Sequence, residues 1–112
     1  MNSANIIMRL KKTIVYTDKI LINFPRTEII LKTRISNCFY DILEYSYMGL
    51  IDNDNRKNII KNILTKLKML YFYLKLSFDK GAISHKSIKT LGINLRGITS
   101  LYYAWLNKNE AH

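Results

Sequence analysis

Lys57, Lys61, Lys68 and Lys75 are the residues whose type and spacing first suggest chemistry. On a helix turning about 100° per residue they project within about 40° of one another. Like charges stacked in this way repel by a few tenths of a kcal/mol per close pair, roughly 0.2–0.5. An anionic partner relieves that cost. Arg56 stands at the head of the column, and Lys89 and Arg96 repeat the seven-residue spacing further along. Such a surface contacts phosphates without reading bases, which predicts salt-sensitive, weakly sequence-selective nucleic-acid binding. The bland alternative is a solvated lysine face that keeps the protein soluble. The charge distribution favours the first reading. Net charge is +10 and the pI about 9.8. Residues 54–96 hold ten Lys/Arg against two acids, whereas residues 1–53 hold seven against five. A basic surface on particular helices follows.

Reactive constellations are missing from the sequence, so no catalytic residue is assigned and no enzyme is expected. His85 and His112 are the only histidines, and neither has a partner at metal-ligand spacing. Asp41 and Glu44 share a helix face, but no second carboxylate pair completes a two-metal site. Gly81, Gly92 and Gly97 fit neither nucleotide fingerprint. Cys38 is alone, which excludes an intrachain disulfide, and its place on an apolar face makes it a small core residue. Small all-α ribonucleases of the HEPN type carry Arg followed four to six residues later by His. No arginine stands in that relation to either histidine. Neither a cofactor nor a metal is expected.

The elements that must position the lysines are helices. One proline and four glycines in 112 residues argue against an all-β fold. A first helix is expected from Ile6 to Asn23, with Ile7, Leu10, Ile14, Thr17 and Leu21 on one side, although Ile14 to Thr17 also suit a strand. Pro25 ends it. A second runs from Pro25 or Thr27, with Thr27 as N-cap, to Met48, and Gly49 supplies its stop. Its core stripe is Leu31, Ile35, Cys38, Phe39, Ile42, Tyr45 and Ser46. Asp52 or Asp54 caps a third helix over Asn58–Phe78, and Gly81 ends it. Its core stripe is Ile60, Ile63, Leu64, Leu67, Leu70, Tyr71, Leu74 and Phe78. Ser84 caps a fourth helix that reaches Asn107, with Ile88, Leu91, Leu95, Ile98, Tyr102 and Trp105 as a bundle seam. Short connections make neighbours antiparallel. The expectation is an all-α antiparallel four-helix bundle, one domain over residues 1–112, frayed at 1–5 and 109–112.

Two helices carry more apolar surface than a small bundle hides. Tyr40, Leu43 and Tyr47 lie off the core stripe of the second helix. Met69, Phe72, Tyr73 and Leu76 lie off that of the third. Left open, they would form a large apolar patch, so they are expected to form a homo-oligomer interface built from both helices. Nothing at the N-terminus has signal-peptide character, and no uncharged stretch is long enough to span a bilayer. A cytoplasmic protein with no membrane partner is expected.

Phe24-Pro25-Arg26 after the first helix, Leu31 and Ile35 opening the second, the basic third helix and the last helix Ile88–Trp105 together resemble a known pattern. The chain is similar, over about Ile14 to Lys108, to Avd, the accessory variability determinant of diversity-generating retroelements. Avd belongs to a wider group of four-helix bundles that includes proteins encoded by intervening sequences in 23S ribosomal RNA genes. Tyr103-Ala104 precedes Trp105 where a glycine next to the tryptophan fits the family pattern, a departure that leaves the wider group open. The resemblance implies a ring-like homopentamer. It also implies a non-catalytic protein that binds a reverse transcriptase and its template RNA or cDNA and supports mutagenic reverse transcription. The alternative is an RNA-binding bundle of the intervening-sequence type with no polymerase partner.

Overall fold

The computed structural model describes residues 3–110, with side chains over residues 5–108. Residues 1, 2, 111 and 112, where fraying is expected, lie outside the described residues, and His112 with them. The described chain is all-helical. Helix α1 spans Ser3–Leu21, a 3-10 turn covers Arg26–Glu28, and α2 spans Ile29–Ile51. Helix α3 spans Arg56–Asp79 and α4 spans His85–Glu110. Residues 3–5 are therefore helical, and α4 runs three residues past Asn107.

Cross-helix contacts run in opposite directions along each neighbouring pair. Asp18 meets Tyr40 and Lys11 lies over Tyr47 between α1 and α2. Glu28 meets Lys80 and Asp41 meets Lys66 between α2 and α3. Tyr71 meets Thr99 and Phe78 meets His85 between α3 and α4. The fold is an antiparallel four-helix bundle. No helix among the described residues is long and apolar enough to cross a membrane.

One face of each helix supplies the core: Leu10 on α1, Ile35 and Ile42 on α2, Ile63 and Leu70 on α3, Leu91 and Leu95 on α4, all at most 0% exposed. Each such side chain contributes about 1.5–3 kcal/mol by leaving water. Ile14 to Thr17 are helical, because Ile14 and Thr17 both lie on the buried side of α1. The Thr17 hydroxyl donates to the Thr13 carbonyl at 2.7 Å, which removes its cost of burial. Ile59 joins the core of α3. Tyr71 is only half-buried and Phe78 is exposed, so neither belongs to the core stripe expected for them.

Three boundary expectations change. Thr27 is not a cap; it lies within the 3-10 turn, which Glu28 N–H closes on the Pro25 carbonyl at 2.9 Å. Gly49 is not a stop, since α2 continues to Ile51 and Gly49 is buried. A β-carbon there would stand 3.1 Å from the Trp105 ring, so the missing side chain is what lets the indole approach. Asn55, not an aspartate, is the residue before α3; Asp52 instead accepts from the Asn55 backbone N–H and side-chain amide at 3.2 and 2.9 Å. Two expectations hold. Gly81, at φ 78°, ends α3 in a Schellman turn, with Ala82 N–H on the Ser77 carbonyl and Gly81 N–H on the Phe78 carbonyl. Ser84 Oγ accepts from Ser87 N–H at 3.1 Å and caps α4.

The core holds one polar pair. Ser46 donates its hydrogen to the Ile42 carbonyl, so the Tyr102 hydroxyl is the donor in their 2.6 Å bond. Burial pushes the Tyr102 phenol up to about 12 and the Cys38 thiol up to about 11. Both groups bind their proton more tightly in the folded chain. Their contribution is therefore complete below the ordinary thiol value of 9.0 and is lost as pH rises toward about 12. Urea unfolding is expected to show stability falling across that window, and Tyr102→Phe is expected to remove a part of the fall on the order of 2 kcal/mol.

Candidate nucleic-acid interface

Helix α3 lies between α2 and α4, and its cations divide accordingly. Toward α2, Lys66 Nζ meets Asp41 at 3.0 Å and Lys80 Nζ meets Glu28 at 3.2 Å. The Asp41 hydrogen bond, first among its causes, holds the Lys66 pKa above the usual lysine value. These two charges are answered within the bundle. On the other flank Lys57, Lys61, Lys68 and Lys75 are all exposed. The column expected from spacing is therefore on the surface, on the side of α3 that turns toward α4.

Lys75 and Arg96 line the same groove between α3 and α4, a cavity of about 360 Å³. Leu74, Ile88 and Leu95 give it an apolar floor, and Tyr71 and Phe78 wall it. Lys89 lies within about 20° of Arg96 on the α4 wheel, and both are exposed. Packing thus brings Lys75 of the α3 column and Arg96 of the α4 pair to one groove, which the sequence alone did not connect. Lys75 Nζ also lies 3.7 Å from Asp79 one turn away. Both side chains are largely in water, so the pair contributes roughly 0–1 kcal/mol and leaves the flank strongly positive.

Arg56 does not belong with the lysines. Its guanidinium donates to the Gly49 carbonyl at 2.6 Å, to the Leu50 carbonyl at 3.2 Å and to Asn53 Oδ1. It also lies over the Trp105 ring, 5.8 Å from the centroid. Its Nε and Nη2 donors are turned to the end of α2 and the loop after it, and its flat face to the Trp105 ring.

The two apolar stripes expected to form one interface lie on different sides of the bundle. The Tyr40 hydroxyl donates to Asp18 at 3.3 Å and the Tyr47 ring lies under Lys11, so this stripe, with half-buried Leu43, leans on α1. Met69 and Tyr73 border a cavity with Arg34, Asn37 and Asp41 on the opposite flank of α2. Phe72 is 57% exposed and Leu76 half-buried on the outer face of α3. Sequence reasoning missed a third apolar line, Met8 and Val15 on α1 with Ile22 just past its end, although its seven-residue spacing was a visible signal. It also missed Arg9, whose guanidinium crosses Gly97, 2.6 Å from where a β-carbon would stand. Among the described residues no group of three or more His, Cys, Asp or Glu could hold a metal ion.

No family model matches the chain, and no curated protein is significantly similar to it. What the fold and the groove define is a four-helix bundle with a basic, apolar-floored flank.

Arg56→Ala tests the division of the cations. Loss of its hydrogen bonds to the α2 carbonyls is expected to destabilise the fold to urea by about 1–3 kcal/mol. Nucleic-acid affinity, measured where the variant is folded, is expected to change by less than roughly twofold, whereas Lys68→Ala lowers it while leaving stability unchanged.

Proposed function

We propose that this protein is a non-catalytic accessory protein of a diversity-generating retroelement, working in the cytoplasm. It holds template RNA or its cDNA beside the reverse transcriptase through phosphate contacts and supports mutagenic reverse transcription. The observation that carries the nucleic-acid part is the α3–α4 groove, where Lys75 and Arg96 flank one cavity; exposed Lys57, Lys61 and Lys68 share the helix face of Lys75, and exposed Lys89 that of Arg96. The charge asymmetry of the chain supports the same reading, since residues 54–96 hold ten Lys/Arg against two acids. The reverse-transcriptase partner rests on the resemblance at Phe24-Pro25-Arg26 and along Ile88–Trp105.

Lys61, Lys68 and Lys75 changed together to Glu are expected to abolish measurable RNA binding while circular dichroism reports an intact helical fold. If some binding persists, the slope of log K against log salt should be shallower by about 2. Unchanged affinity at moderate salt overturns the assignment. A reverse-transcriptase gene beside a nearly repeated DNA segment is expected next to the gene for this chain, and the two proteins should co-purify.

The ring-like homo-oligomer, a pentamer by resemblance, belongs to the same proposal. Its support here is the outward stripe of Met69, Phe72 and Leu76, joined by Tyr73, whose ring lies 6.1 Å from that of Phe72. Light scattering is expected to give a mass several times that of one chain, reduced by Phe72→Asp or Leu76→Asp. A native protein that runs as a monomer overturns this part.

A further inference from the structure

A surface that binds only phosphates needs charge and nothing else. The α3–α4 groove has more than charge. Between its cations lies an apolar cavity of about 360 Å³, within the size range of clefts that receive small organic groups, about 300–1,000 Å³. Apart from Lys75 and Arg96, its one polar side chain is already engaged. The Tyr71 hydroxyl is 3.5 Å from Thr99 Oγ1, and the Phe78 ring lies against His85 at 6.1 Å between centroids. No hydrogen-bonding group is set to read a base edge, while two aromatic side chains stand at the walls. Gly92 keeps the cavity open: a β-carbon there would meet only the Arg96 guanidinium, at 3.6 Å.

We propose that this groove takes single-stranded nucleic acid, with an unstacked base inserted between Tyr71 and Phe78 and the flanking phosphates on Lys75 and Arg96. The proposal rests on the nucleic-acid reading above and names the form of nucleic acid. Paired bases are held inside a duplex and cannot enter an apolar slot, so the site selects unpaired segments. Stacking on aromatic side chains is tolerant of sequence because every base has a π-face. Asp79, beside Lys75, is the one carboxylate the structure places at this rim through an ion pair, and it disfavours phosphates beyond the Lys75 end. An acidic amphipathic helix is the other occupant with matching charge. It would need an apolar trough along several turns, whereas the lining of this cavity runs only from Tyr71 to Phe78 on α3 and from Ile88 to Arg96 on α4.

Gly92→Leu fills the slot, leaves every charge in place and raises helix propensity. Phe78→Leu removes one exposed aromatic wall as a second variant. Anisotropy would be measured with a single-stranded 12-mer, its duplex and an abasic backbone of equal length, at one salt concentration. The native chain is expected to bind the single strand at least about fivefold more tightly than the abasic backbone. It should also prefer the single strand to the duplex. Both variants are expected to erase the preference over the abasic backbone while abasic binding stays unchanged. Equal binding of the single strand and the abasic backbone overturns the base slot and leaves the phosphate surface standing. Unaltered single-strand binding by Gly92→Leu does the same. Binding to none of the three overturns both this proposal and the reading beneath it. An acidic amphipathic peptide that displaces the 12-mer from the native chain, and is itself lost in Gly92→Leu, assigns the groove to a protein helix and overturns it as well.

Discussion

The Trp105 indole sits where three helices meet, and the register of the bundle depends on it. Gly49 on α2 admits the ring at a distance where any β-carbon would force it to move. Arg56 on α3 covers it and hydrogen-bonds the α2 carbonyls beside Gly49. One side chain of α4 is thereby fixed against the end of α2 and the start of α3. A helix has little freedom to slide once one end is keyed, because a shift of a single residue rotates every side chain by about 100°. The position of Lys75 opposite Arg96 follows from that register. The candidate site therefore depends on packing about two and a half turns of α4 beyond Arg96.

Electrostatics then decides which flank is positive. Asp41 on α2 and Glu28 in the 3-10 turn before it answer Lys66 on α3 and Lys80 just past its end. These partly exposed pairs are worth little as stability, roughly 0–1 kcal/mol each. Their consequence is distribution. With the α2 side of α3 neutralised, the excess cations stand toward α4, where Lys89 and Arg96 add to them. A net charge of +10 spread evenly would give weak attraction everywhere. Lys75 and Arg96, set in one groove with apolar walls, reinforce each other.

Much of this was legible in the sequence, and the misses share one physical cause. Periodicity found all four helices, because each must bury one face, and Ser84 and Gly81 marked boundaries through backbone chemistry that is local. Gly49 was misread because a glycine near the end of an apolar pattern is usually a stop. Its real reason, the Trp105 ring, is 56 residues away. Arg56 was grouped with the lysines because charge is visible in a sequence and hydrogen-bond partners are not. The helical wheel showed that Tyr40 and Phe72 leave their core stripes, yet not which neighbour each would meet. Only packing turned Tyr40 toward α1 and left Phe72 outside. Tyr71 and Phe78 were placed in the core for the same reason, and they instead wall the groove.

The lysine spacing itself limits what such a site can discriminate. Seven residues of helix advance about 10.5 Å, far more than the 3.4 Å axial rise per phosphate of one duplex strand. Long flexible lysine side chains at such a spacing tolerate a range of strand geometries. Charge at this repeat attracts polyanions and cannot choose among them. Arg96 differs in kind, because a guanidinium's planar fork imposes a direction on an oxyanion that a lysine ammonium does not. Where Arg96 meets the apolar cavity, direction and shape coincide. Any preference this flank has for one form of nucleic acid must therefore arise there and not along the lysine column.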